Sequence, residues 1–187
     1  MAGYPEDVAV AVEAINIVTK GYRRTMGAVR LLRQPHVCYG NRYARPSWEG
    51  HYDFLFPAVL DANVDQLILE FGRKGREGLR VIQRLGWDRA LRLGEVDVKT
   101  EQIESTEVIA QRIRKALETF PADKLIINPD GGLRHLPADV ARSKLAAMVI
   151  GTAAIRRTLT TQLGPDQLVE LNELTVTSPV PTVEQGA

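Results

Sequence analysis

With a single cysteine, Cys38, among its 187 residues the chain has no internal disulfide to hold it together. That cysteine has three readings: a buried small side chain, a metal ligand or a reactive thiol. Long hydrophobic runs are also absent. No stretch of about 18 consecutive apolar residues is present, which argues against a membrane-spanning helix. The first residues carry Glu6 and Asp7 rather than the basic-then-apolar pattern of a secretory signal. The cytoplasm is therefore the expected location. Aromatics make up 6% of the chain, and arginines such as Arg23, Arg33, Arg73, Arg80 and Arg112 are scattered rather than grouped with them, so no nucleic-acid-binding pattern emerges. Positive charge stops at Arg157. Asp166, Glu170, Glu173 and Glu184 follow it, so the net charge of +1 combines a mildly basic body with an acidic tail.

What is present fits one domain, long enough to bury most of its apolar surface without a structural metal. Val8, Val12, Ile15, Val18 and Tyr22 recur in steps of three and four, which predicts a helix over about 6–22. Residues 28–32 read either as a short helix or as a lead into a strand. Beyond them, short apolar runs alternate with longer amphipathic ones, the pattern of βα units around a parallel sheet. The expected strands are 35–39, 66–71, 91–98 and 124–128. The expected helices are 52–60, 76–85, 106–120 behind a Ser105 N-cap, and 137–158 with Pro137 in the first turn. Four βα units are about half of the eight that close a βα barrel. The predicted fold class is thus α/β, a partial (βα)8 TIM-type barrel with an N-terminal helix. The glycine-rich segment 72–78 matches neither a phosphate loop nor a dinucleotide fingerprint and reads as an ordinary βα loop. The domain is expected to occupy residues 1–159, with 160–187 a disordered or loosely docked tail.

The chemistry-bearing residues are few. In His36-Val37-Cys38 a spacing of two puts imidazole and thiol on one face of a strand, where both can meet one ion. Such a pair suits zinc, which favours nitrogen and sulfur ligands in tetrahedral geometry. Glu70 closes the apolar run 67–70, and a carboxylate there needs a cationic partner: a metal, or Arg42 or Arg73. His51 and His135 are further possible ligands, His135 reading more naturally as a helix-start or surface residue. Trp48 and Trp87 read as packing residues.

Taken in order, His36-Val37-Cys38-Tyr39-Gly40-Asn41, Leu69-Glu70-Phe71, Gly94-Glu95-Val96-Asp97-Val98-Lys99 and Asn128-Pro129-Asp130-Gly131-Gly132-Leu133-Arg134-His135-Leu136-Pro137 resemble the C-terminal catalytic barrel of cobalamin-independent methionine synthases. The likeness runs from about Pro5 to Arg157, and 45–50 resembles a loop of the family's short, single-domain branch. It implies a zinc ion held by His36, Cys38 and Glu70, with Gly131 standing where the family has a fourth ligand, a cysteine. Zinc binding is then expected to be weakened or absent, the open position going to water or substrate. Lys99 stands where the larger folate-using enzymes carry a histidine. The resemblance also places the chain's start at the helix before the fifth strand of eight. The function it implies is zinc-dependent transfer of a methyl group from a methylated folate or related donor to the thiol of homocysteine. The implied partners are a complementary first-half polypeptide or self-association, besides thiol and methyl donor. The alternative is a noncatalytic half-barrel, a binding or regulatory subunit that has lost the zinc site.

Overall fold

Val8, Val12 and Ile15 form one stripe of helix α1 (Pro5–Thr19), and in the computed structural model this stripe packs onto the main core. The model describes residues 5–21, 25–26, 29–30, 32–47, 49–73 and 77–162. The helix stops three residues before the expected Tyr22, where Gly21 takes a left-handed φ of 74° that a helix cannot accommodate. Within the segment left open between helix and strand, Val29–Arg30 (β2) pairs antiparallel with Thr25–Met26 (β1); the flanking residues 27–28 and 31 lie outside the described residues.

A parallel four-stranded sheet follows, in the order β3 (His36–Val37), β4 (Gln66–Glu70), β5 (Ala90–Val96), β6 (Leu125–Pro129). Helix α2 (Glu77–Arg84) links β4 to β5, α3 (Thr106–Leu117) links β5 to β6, and α4 (Ala138–Gln162) follows β6. This is the expected α/β arrangement of βα units. Leu67, Leu69, Leu91 and Leu93 are fully buried and share a core with Leu79 and Ile82 of α2, Ala116 of α3 and Phe120. The opposite face carries the residues of the other register rows: His36, Ile68, Arg92 and Ile126 in one, Glu70, Gly94 and Asn128 in the next towards the strands' C-terminal ends. Among the described residues, no further strand pairs with the outer edges of β3 and β6. Pro129 is accommodated because β6 is such an edge strand.

Element ends differ from the sequence expectation for local reasons. The stretch 35–39 yields only two paired residues, because Gly40 turns at a φ of 84° and the Tyr39 carbonyl accepts from the Ser47 N–H instead of a strand neighbour. The expected helix over 52–60 is two 3₁₀ turns, Tyr52–Leu55 and Ala58–Asp61, since Pro57 between them has no N–H to continue a helical ladder. Strand β5 stops at Val96 rather than 98 because Asp97 Oδ1 accepts from the Lys99 N–H at 2.8 Å, closing a side-chain turn. Residues 122–124 form a 3₁₀ turn that starts β6 one residue late. Ser105 caps α3 as predicted, its hydroxyl accepting from the Val108 N–H at 3.3 Å. Helix α4 extends past 158 to Gln162, so residues 160–162 belong to it; the rest of the expected tail lies outside the described residues. No described helix is long and apolar enough to cross a membrane.

Candidate metal centre

His36 lies in β3 and Cys38 one residue past its end, while Glu70 is the last residue of β4. Parallel pairing sets the two strands side by side with His36 opposite Ile68. Both C-terminal strand ends therefore rise at one end of the sheet. The ligating atoms of His36, Cys38 and Glu70 lie within 4.8 Å of one another, with His36 exposed, Cys38 half-buried and Glu70 buried. Around a tetrahedral zinc, nitrogen, oxygen and sulfur ligands sit roughly 3.3–3.8 Å apart. The donor set, an imidazole, a thiol and a carboxylate at the ends of adjacent strands, suits a zinc ion with one further ligand. His51, at the start of a 3₁₀ turn, and His135, whose Nε2 lies 2.6 Å from the Val98 carbonyl oxygen, do not join the cluster.

Position 131 contributes no donor. A Cβ built there would meet Val98 Cγ2 at 3.6 Å, an ordinary van der Waals contact. Nearby, Asn41 Nδ2 donates to the Gly132 carbonyl at 3.3 Å, tying the β3 loop to the β6 loop.

The partner of Glu70 is neither Arg42 nor Arg73. Arg73 pairs with Glu49 at 2.8 Å, and the Arg42 main chain bonds that of Arg45. Lys99 Nζ instead donates to both Glu70 oxygens, at 3.0 and 2.8 Å, with both side chains 3% exposed. The Asp97 turn that ends β5 is what aims Lys99 back across the sheet.

Two groups that sequence reasoning passed over frame the site. The Tyr52 hydroxyl accepts from the Glu70 N–H at 2.9 Å and donates to the Val37 carbonyl at 3.2 Å, joining β3 and β4. Burial raises its pKa, which keeps the phenol a neutral donor; burial likewise pushes Tyr39, whose ring centroid lies 5.1 Å away, up to about 12. Asp130 Oδ1 accepts from the Phe71 and Gly72 N–H groups at 3.1 and 2.9 Å, binding the end of β6 to that of β4. Burial, helped by the Glu70 and Asp97 charges and opposed by the Gly72 hydrogen bond, pushes its carboxyl up to about 7. Its Oδ2 is buried without a partner. An aspartate next to a turn glycine was a sequence signal for the second; Tyr52 gave none.

A second buried cation staples the same loop from behind. Lys144 of α4, fully buried, donates to the Asp97 and Gln102 carbonyls and to Glu104 Oε2 at 2.9 Å. Trp87, as expected, is a packing residue, 3% exposed with the Arg89 guanidinium 4.0 Å from its ring centroid; Trp48 lies outside the described residues.

Polar side chains, three of them able to hold a metal ion, gather at the C-terminal ends of the parallel strands, the end at which βα-barrel proteins place their sites. The family described as cobalamin-independent synthase, catalytic domain, matches residues 28–154, and the chain belongs to that family. Among its relatives, a methionine synthase of Saccharolobus islandicus (strain Y.G.57.14 / Yellowstone #1) is 36% identical over 154 residues, 82% of this chain and 41% of the relative. One from Thermococcus kodakarensis is 35% identical over 159 residues, 85% of this chain and 42% of the relative. The chain thus spans about two fifths of the length of these relatives. A B12-independent methionine synthase from Shewanella sp. W3-18-1, solved with selenomethionine, superposes with a TM-score of 0.71 at 24% identity, over 84% of this chain and 46% of that one. That likeness shows the fold, a portion of a TIM-type barrel.

Proposed function

We propose that this chain is the metal-bearing part of a thiol methyltransferase of the methionine synthase type, working in the cytoplasm. Its substrates on this reading are homocysteine and a methylated folate or related donor. The remaining barrel units come from a complementary polypeptide or a second copy. The observation that carries the reading is the convergence of His36, Cys38 and Glu70 to within 4.8 Å at the strand ends; membership in the family supports it.

When bound, zinc lowers the pKa of a thiol that coordinates it, so that the sulfur is nucleophilic at neutral pH. The chain's own residues do the rest of the local work. His36, Cys38 and Glu70 would hold the ion, which would have a further position for an incoming thiol. Tyr52 fixes the spacing of the two ligand strands, and Asp130 fixes the loop that carries Gly131. The direct test mixes the purified chain, zinc and the preceding barrel units of a relative, then measures methyl transfer to homocysteine. Transfer by the mixture and by neither part alone is expected. A mixture that forms a complex, holds zinc and transfers nothing would sink the enzymatic reading.

The second reading, a noncatalytic half-barrel, is favoured by two features of the site: Gly131 offers no donor, and Glu70 already has a buried cationic partner. Tight stoichiometric zinc that disappears in Cys38→Ser argues against it.

A further inference from the structure

We infer that the Lys99 ammonium and the metal ion are alternative occupants of the Glu70 carboxylate, so that Lys99 sets how tightly this chain holds zinc and metal loading is coupled to its withdrawal. The inference rests on the proposed zinc site and concerns a residue outside the ligand set.

The geometry is specific. Lys99 Nζ lies at hydrogen-bond distance from both Glu70 oxygens, leaving neither free of the ammonium. The pair is almost wholly buried, so water neither screens it nor offers the carboxylate another partner. A zinc ion bound by His36 and Cys38 must share that carboxylate with a like charge or displace it. Either way, the ammonium raises the metal concentration needed to fill the site.

The site also has an unusual charge balance. His36 is a neutral ligand, the Cys38 thiolate and Glu70 carboxylate carry one negative charge each, and Lys99 offsets one of them. Without a second thiolate at position 131, the set that meets the metal, with Cys38 ionised by coordination, carries a net charge of −1 while Lys99 stays on Glu70 and −2 once it leaves. The local structure can also release the lysine. Its N–H is anchored by Asp97 Oδ1, and the loop behind is pinned by Lys144, so the backbone stays in place while the long side chain swings away.

The test is competition for zinc against a chromophoric chelator, with wild type, Lys99→Met, Lys99→Arg and Cys38→Ser compared. Lys99→Met is expected to bind zinc at least about tenfold more tightly than wild type, because a like charge is removed from beside the ion. Lys99→Arg is expected to remain near wild type. Equal affinities of wild type and Lys99→Met would overturn the inference. Zinc binding unaffected by Cys38→Ser, or none in any variant, would overturn the metal site itself, a separate result. A second measurement needs no variant: labelling of Lys99 by a small amine-reactive reagent, read by mass spectrometry, should rise when zinc is added to the wild type. Labelling that stays at its metal-free level would show that the lysine remains on Glu70 and would overturn the displacement.

Discussion

Gly131 and Asp130 are neighbours whose side chains, one absent and one buried, make opposite demands on the site. The backbone at 131 has space for a Cβ, with Val98 Cγ2 at 3.6 Å and no left-handed φ to strain it. Gly131→Cys is therefore expected to fold normally and, by supplying a second thiolate, to tighten zinc at least roughly tenfold. Chelator competition checks this, and an unchanged affinity would remove position 131 from the metal site. Asp130 carries a pH dependence. Its carboxyl is pushed up to about 7, chiefly by burial, against an unfolded value of about 4. Between those values the folded state holds a proton that the unfolded chain releases. The contribution to stability is full below about pH 4 and is lost as pH rises through about 7. In metal-free buffer, the denaturation midpoint of the wild type should carry this downward component from about pH 5 to about pH 7.5. Asp130→Asn keeps the oxygen that accepts from Phe71 and Gly72 and should flatten that component; parallel pH profiles for the two proteins would contradict the assignment. The candidate ligands could be named from the sequence because His36, Cys38 and Glu70 lie in short contiguous motifs, and the family resemblance singled out Gly131. The ion pair was not: Glu70 and Lys99 are 29 residues apart, and which cation reaches the carboxylate depends on where the Asp97 turn releases the chain.

Elements were legible wherever a local rule decides them. The Ser105 cap and the stripe of α1 needed only neighbours along the chain, and both appear in the structure. Replacing Ser105 by Ala should cost about 1 kcal/mol of stability in chemical denaturation, the usual price of a lost N-cap. What the pattern missed was set by tertiary partners or by a single residue within an apolar run. Pro57 split a helix into two turns, and Ser47 took the carbonyl that would have lengthened β3. Helix contact supplies a sharper test. A Cβ at Gly151 in α4 would meet the Thr106 carbonyl oxygen at 2.9 Å and Ile109 at 3.0 Å, where α3 crosses it. Glycine to alanine inside a helix ordinarily stabilises by about 1 kcal/mol. Here Gly151→Ala should destabilise instead, by about 1–3 kcal/mol, because the two helices must separate. A raised denaturation midpoint would show that the crossing is looser than this.

For the whole molecule, the sheet topology and the length of the relatives point the same way. The described residues form four parallel strands with edges at β3 and β6, and the chain spans 41% of its Saccharolobus islandicus relative. Exposed strand edges are normally covered in natural proteins. Mixing the chain with the preceding barrel units of a relative should therefore give a one-to-one complex by light scattering; two species that elute apart at every concentration would contradict complementation. The α/β class was readable from the alternation of apolar runs, since each βα unit declares itself locally. What covers the edges was not, because a sequence does not display the surface that its strands leave unpaired. Metal binding is the most direct measurement. In equilibrium dialysis against free zinc, the purified chain is predicted to bind one zinc per molecule, and Cys38→Ser, folded to the same extent by circular dichroism, to bind none; no binding by the wild type at saturating zinc, or equal binding by both proteins, would contradict it.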